Sequence, residues 1–174
     1  MPGLSDDDGK TNPGKATPRS GAEVRFDSAA AEGRWNPLDE IRKGTEFEMA
    51  DVSKLVNLLV DPVGEGLKTH WQWSSQGLLV GVILHTLYGR RAQAVAPKLT
   101  EIRGLMSDAE RSIGELWDEM LTFDHFDKPD PAGVGPNRRT HPWVAKAARD
   151  MKDRPYREAG AVLSTAKRHL SLFG

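Results

Sequence analysis

The chain has 174 residues, 38% of them hydrophobic, which is enough for one buried core and too little for two. Its 25 Asp and Glu against 24 Lys and Arg leave a formal charge of -1, so the overall balance points to neither a nucleic acid nor a membrane surface. With no cysteine, disulfide scaffolds, Cys-based zinc sites and thiol catalysis are excluded.

The first 20 residues carry an Asp triplet, three Pro and three Gly with almost nothing apolar to bury. Residues 1–22 are therefore read as a disordered leader or an expression-derived segment, and 23–174 as the folded domain. The leader holds a near match to a phosphate-binding loop, Gly9 followed by Gly14-Lys15, but Ala16 stands where a Ser or Thr hydroxyl is needed, and no apolar strand precedes it. Glu23 to Asp27 alternates polar and apolar as a short strand with no second strand nearby to pair with.

Helical signals follow. Thr45 and Glu48 spell a T-x-x-E capping box, and Phe47, Val52, Leu55, Val56, Leu59 and Val60 recur at helical spacing until Asp61-Pro62 stops them. A Gly-containing turn leads into a long helix from about Lys68 to Tyr88, apolar nearly all round in its second half and closed by Gly89. Its most apolar run, Gly77 to Tyr88, has 12 residues, whereas a membrane span needs roughly 20. Leu99, Ile102, Leu105 and Met106 mark a short helix, and Ser107 with Glu110 reads as a second capping box before Ile113, Leu116, Trp117, Met120 and Leu121.

Asp124 to Thr140 lacks periodicity and is rich in Pro, Gly and Asp, which predicts a long loop of the kind that carries function or moves. Thr140 with Pro142 opens another helix to about Lys152, and Asp153 with Pro155 opens the last, with Ala159, Val162, Leu163, Ala166, Leu170 and Phe173 on one stripe. The expected fold is all-α, a compact domain of five to seven helices with an orphan strand at the N-terminal end.

Little in these segments has catalytic form. Asp124-His125-Phe126-Asp127 clusters metal-capable side chains, but the spacing matches neither H-E-x-x-H nor an EF-hand loop and nothing nearby clearly supplies the remaining ligands, so a solvated loop is the reading. His70 and His85 lie on an apolar helix with no nucleophile to serve and are read as packing residues. Trp71 and Trp73 have the faces to stack bases, yet Trp71, Ser75, Leu78 and Val82 share a stripe, which favours core packing. Neither a cofactor nor a metal is predicted, and the chain is not expected to be an enzyme.

The charge distribution says more than its total. Glu101 to Asp130 holds nine acidic side chains and three basic, while Asn137 to Gly174 holds nine basic and three acidic. Lys146, Arg149 and Lys152 recur every third residue, largely opposite Val144 and Met151, with Arg138 and Arg139 just before them. These five are the candidate DNA-binding residues, a row able to follow a phosphate backbone; Asp124, Asp127 and Asp130 in the acidic half are the candidate protein-docking residues. The alternative is a solvated surface on which the two halves pair with each other.

Arg34-Trp35-Asn36-Pro37-Leu38 followed by Asp39-Glu40-Ile41-Arg42, then Ala50-Asp51, Asp61-Pro62, His70-Trp71, Leu78-Leu79, Ile83-Leu84-His85 and Tyr88, resembles the type IV secretion coupling proteins of conjugation, the TraG-like family, in order and spacing over about a third of the chain. Arg157-Glu158-Ala159, Ser164-Thr165-Ala166 and Leu170-Ser171-Leu172-Phe173 are similar to the point where the family's chain returns to its nucleotide-binding domain. The family favours Asp-Pro after the strand, where this chain has Asp27-Ser28.

The resemblance implies the all-α domain inserted into a RecA-like motor ATPase, with short stubs of the motor at both ends and a last helix whose stripe is left incompletely covered without it. It implies a cargo receptor of conjugative DNA transfer, on the cytoplasmic face of the bacterial inner membrane in a parent hexamer. Its ligand would be the relaxosome, meaning a relaxase or accessory protein together with single-stranded or nicked DNA held weakly and without sequence preference. The alternative is a protein-only docking module with no direct DNA contact. Taken alone, the domain is expected to be soluble, a monomer or a weak self-associate.

Overall fold

The computed structural model describes residues 36–90, 92, 93, 95–126 and 139–171. The leader with its near phosphate loop, the strand at 23–27, the candidate site residues Asp127, Asp130 and Arg138, and Phe173 lie outside the described residues. Within them a 3-10 turn at Pro37–Glu40 is followed by six α-helices and no strand: α1 (Glu48–Val60), α2 (His70–Gly89), α3 (Leu99–Leu105), α4 (Ile113–Thr122), α5 (Pro142–Lys152) and α6 (Tyr156–Leu170). The all-α expectation holds.

Asn36 begins the described fold by local chemistry. Its side-chain oxygen accepts the Leu38 N–H while its amide donates to the carbonyls of Ala96 and Pro97, so one side chain caps the 3-10 turn and fastens it to the stretch leading into α3. Asp61 organises the α1–α2 turn in a similar way. Its carboxylate accepts the N–H groups of Gly64, Glu65 and Gly66, and the turn closes through positive φ at Gly64 and Gly66, where a side chain would be strained.

Helix α2 is the axis. Leu78, Leu79, Val82, Ile83 and Leu84 are almost completely buried, and α1, α5 and α6 pack around them, while α4 packs on α5 and reaches α2 through Glu119 and Met120. Helices α2 and α5 run antiparallel, since Ser74 bonds Arg154 at one end and Gly81 sits against Trp143 and Ala147 further along. Among the described residues, no helix is long and apolar enough to cross a membrane.

Three expectations are corrected at the helix starts. Thr45 and Glu48 do not form a capping box: Phe47 occupies the N-cap without a side-chain bond, Thr45 Oγ1 donates to the Arg42 carbonyl, and Glu48 is turned into the interior. The boxes that form are Thr69 with Gln72 on α2 and Ser112 with Glu115 on α4, where Ser107 and Glu110 lie ahead of the helix. On α5 the N-cap is His141, not Thr140, whose hydroxyl donates to the carbonyls of Leu121 and Phe123.

On α6, Val162, Ala166 and Leu170 are buried against α1, α2 and α3, while Ala159 and Leu163 on the same stripe stay half-buried. One surface expectation is overturned. Trp71 and Trp73 are not core residues, being 40% and 59% exposed. Burial on α2 starts at Ser75, so the indole of Trp71 projects beyond the packed neighbours, and Trp73 lies on the opposite side of the helix from Ser75. Of the described tryptophans, Trp117 supplies the buried indole and Trp143 is outward like the first two.

Candidate functional site

Helix α5 sorts its side chains cleanly. Val144, Ala145, Ala147, Ala148 and Met151 are buried, and Lys146, Arg149 and Lys152 are exposed, the first two on the far side and Lys152 at the flank that faces α4. The candidate basic row is therefore presented to solvent, with Arg139 exposed just ahead of it and Trp143 beside it.

The row is largely neutralised by carboxylates. Lys146 pairs with Asp150 one turn along, Lys152 reaches Asp118 on α4, and Arg139 holds Asp124 at 2.6 Å. Packing of α4 on α5 thus brings the acidic and basic halves of the sequence into contact, and joins one candidate docking residue, Asp124, to one candidate DNA-binding residue, Arg139. Arg149 has no ion pair with any described residue. These pairs are exposed and individually worth about 0–1 kcal/mol, so a phosphate or a partner's carboxylate can displace them at little cost.

Beneath the start of α5 lies a polar cluster that the sequence reading missed. Glu48 from α1, His85 and Tyr88 from α2, His125 from the segment after α4, and His141 at the α5 N-cap are all buried. The Glu48 carboxylate accepts from His141 Nε2 (3.0 Å), the Tyr88 hydroxyl (2.7 Å) and the Gly44 N–H (2.6 Å). His141 Nδ1 accepts the Trp143 N–H, and His125 Nδ1 accepts the His141 N–H at 3.2 Å.

Those two backbone donors fix the protons. With Nδ1 accepting, neutral His141 carries its hydrogen on Nε2, facing Glu48, and neutral His125 carries its hydrogen on Nε2, facing His85 Nδ1 at 3.1 Å. His85 is left with its hydrogen on Nε2, facing Glu119 Oε1 at 3.4 Å, and Glu119 is paired with Arg111. All three imidazoles share one tautomer. Phe126 stacks on His141, and Phe123 meets His125 edge-on with ring centres 4.9 Å apart, which keeps water away.

Burial and neighbours shift the titrations accordingly. Burial works to raise the Glu48 carboxyl, but the bonds from His141, Gly44 and Tyr88 outweigh it and hold Glu48 below the usual carboxylate range. Burial, then the adjoining His85 and His141, push His125 down to about 4. Burial likewise depresses His85 against the opposing pull of Glu119, and burial with the Glu48 carboxylate raises Tyr88. Among the described residues no group of His, Asp and Glu is arranged to hold a metal ion. The cluster is a tautomer-ordered clamp on the α5 start rather than a ligand set.

One signal for this cluster was present in the sequence. Glu48 stands one helical repeat before Val52, on the same stripe as Leu55 and Leu59, which marks it as facing inward. Nothing in spacing brings His85, His125 and His141 together, because the fold joins them across 40 and 16 residues.

A sequence profile of the family described as type IV secretory system conjugative DNA transfer matches residues 19–174. Two conjugal transfer proteins TraG from Escherichia coli are similar to this chain, one 52% and the other 49% identical over 152 residues, each alignment covering 86% of this chain. The chain spans 22% of the length of each of these relatives. No solved structure matches significantly. With a match over nearly its whole length and half its residues shared, the chain belongs to the type IV secretory system family of conjugative DNA transfer.

Proposed function

We propose that this domain is the cargo-recognition domain of a coupling protein, binding the relaxosome during conjugative DNA transfer at the cytoplasmic face of the inner membrane. The observation that carries the reading is α5: it satisfies its packing entirely with Val144, the alanines and Met151, and projects Lys146, Arg149 and Lys152 outward where packing has no use for them. With Arg138 and Arg139 at its start, the row fits the backbone of a single or nicked strand and offers no set of side chains for reading bases. The contact would be weak and sequence-tolerant. Recognition rather than ATP hydrolysis is the role assigned, because the only phosphate-loop resemblance in the sequence lacks its hydroxyl residue at Ala16.

The test is the salt dependence of single-stranded DNA binding. Each lost phosphate contact lowers the slope of log affinity against log salt by roughly 0.7, so the combined change Lys146→Ala, Arg149→Ala, Lys152→Ala is expected to flatten it by about two units. The fold should persist, since all three side chains are exposed and alanine favours helix. Unchanged affinity and slope would remove the basic row from the account.

A second reading is favoured by a separate observation. Arg139, Lys146 and Lys152 already hold carboxylates, and Trp71, Trp73 and Trp143 present indoles to solvent, which suits a protein partner better than a polyanion. In this reading the domain docks a relaxase or accessory protein through Asp124, Asp127 and Asp130, without touching DNA. Relaxase binding by a domain that shows no DNA binding at any salt concentration would select it.

A further inference from the structure

The buried histidines have a property that packing alone does not require: every ring nitrogen in the His85–His125 pair is committed. His125 Nδ1 accepts from the His141 N–H, His125 Nε2 donates to His85 Nδ1, and His85 Nε2 faces Glu119. A second proton on His125 can go only to Nδ1, where it meets an N–H donor at 3.2 Å. A second proton on His85 can go only to its Nδ1, where it meets the His125 Nε2–H. The Phe123 backbone favours the charged form of His125, but neither ring can take a second proton with both of these hydrogen bonds kept. One of the two hydrogen bonds must break, and His125, only 1% exposed, has no water in which to place the new charge.

What those bonds hold is local. They tie the segment after α4 and the first turn of α5 to α2, helped by the His125 N–H to the Arg139 carbonyl and the Thr140 hydroxyl to Leu121 and Phe123. Helix α2 itself is held by α1 and α6 as well and does not depend on them.

We propose that His85, His125 and His141 form an acid-sensitive latch, in which protonation of His125 releases the segment after α4 and the α5 N-terminus from α2 while the α1–α2–α6 core stays folded. The groups facing the latch act in both directions. Glu48 on α1, Glu119 on α4 and Asp124 after it favour an extra proton; Lys43 ahead of α1, Arg111 ahead of α4, Arg139 ahead of α5 and the other two histidines oppose it, and Tyr88 on α2 stays neutral. Burial and the neighbouring imidazoles win at His125, which titrates at about 4.

The sign of the effect follows from linkage. A histidine depressed in the folded state leaves stability intact above its ordinary value near 6.5 and withdraws it as the pH falls toward about 4. Acid therefore opens the latch.

The test is an NMR titration of the wild-type domain with nitrogen-15 histidine, read alongside amide hydrogen exchange. At about pH 7 all three rings should show hydrogen on Nε2. Between about pH 7 and about pH 4.5 the protection factors of the His141, Trp143 and Ala145 amides should fall on the order of 50-fold, ahead of the folded-state titration of His125 at about 4, while Leu79 to Leu84 in α2 remain protected. His125→Gln, which keeps a donor and an acceptor but cannot charge, should blunt that loss if it folds. The proposal is overturned if His125 titrates near the ordinary value with protection unchanged, if the three amides keep their protection down to about pH 4.5, or if α2 loses protection together with α5.

Discussion

Gly81→Leu is expected to lower stability by about 4 kcal/mol, which for a domain of this size is a melting shift of roughly 10 °C. A Cβ built at Gly81 collides with the Cβ of Ala147 and comes within 3.4 Å of the Trp143 carbonyl, so any side chain forces α2 and α5 apart along their whole contact. Glycine inside a helix costs about 1 kcal/mol relative to alanine, and the close approach of the two helices offsets that cost here. The explanation is separable from general overpacking. Gly81→Ala alone should lose about 2 kcal/mol, whereas Gly81→Ala with Ala147→Gly moves the methyl group from one helix to the other and should return close to wild type. A Gly81→Leu protein that melts as the parent does would show that α2 and α5 do not meet at this point.

Removing the Glu48 carboxylate is expected to cost about 3–5 kcal/mol, read as a lower urea midpoint with unchanged slope. In Glu48→Leu the His141 Nε2–H and the Tyr88 hydroxyl lose their acceptor inside a site covered by Phe126, while the Gly44 N–H, on an exposed residue, turns to water. Glu48→Gln should be milder, because one oxygen remains while the new amide opposes a donor, and Tyr88→Phe milder still at about 1 kcal/mol, since Glu48 then keeps two of its three donors. The order Leu worse than Gln worse than Tyr88→Phe is the informative result. Equal effects of all three would mean that the carboxylate acts only by filling space.

The contrast between these two sites shows what the sequence conveys and what it hides. The helices were legible because Leu55, Leu59, Val144, Met151, Val162 and Ala166 repeat at helical spacing and every one is buried. Gly81 was visible only as an interruption in an apolar run, since its meaning depends on Ala147, 66 residues away, and no local pattern encodes which helix comes nearest. Glu48 was misread through a genuine ambiguity: T-x-x-E at a helix start describes a capping box and equally a glutamate on the buried stripe, and only the arrival of Tyr88 and His141 decides between them.

The candidate site was legible in composition and illegible in pairing. Lys146, Arg149 and Lys152 were placed on the exposed side of α5 by counting residues, and they lie there. That Asp118 and Asp124 would sit against Lys152 and Arg139 follows from the packing of α4 on α5, which no charge count contains. Trp71 and Trp73 went wrong for a related reason. Indoles are buried on average, but the first turn of α2 meets its neighbours through His70 and Ser74, which face Arg154 and Glu158, and Trp71 and Trp73 stay exposed.

The central claim is that this domain recognises conjugative cargo, and the most direct measurement is capture of the cognate relaxase by the purified domain, with and without its nicked DNA strand. The expected result is retention of relaxase by the wild-type domain, stronger when the DNA strand is present, with that DNA-dependent increment lost in the combined Lys146→Ala, Arg149→Ala, Lys152→Ala variant. A folded wild-type domain that retains neither relaxase nor the relaxase–DNA complex would contradict it.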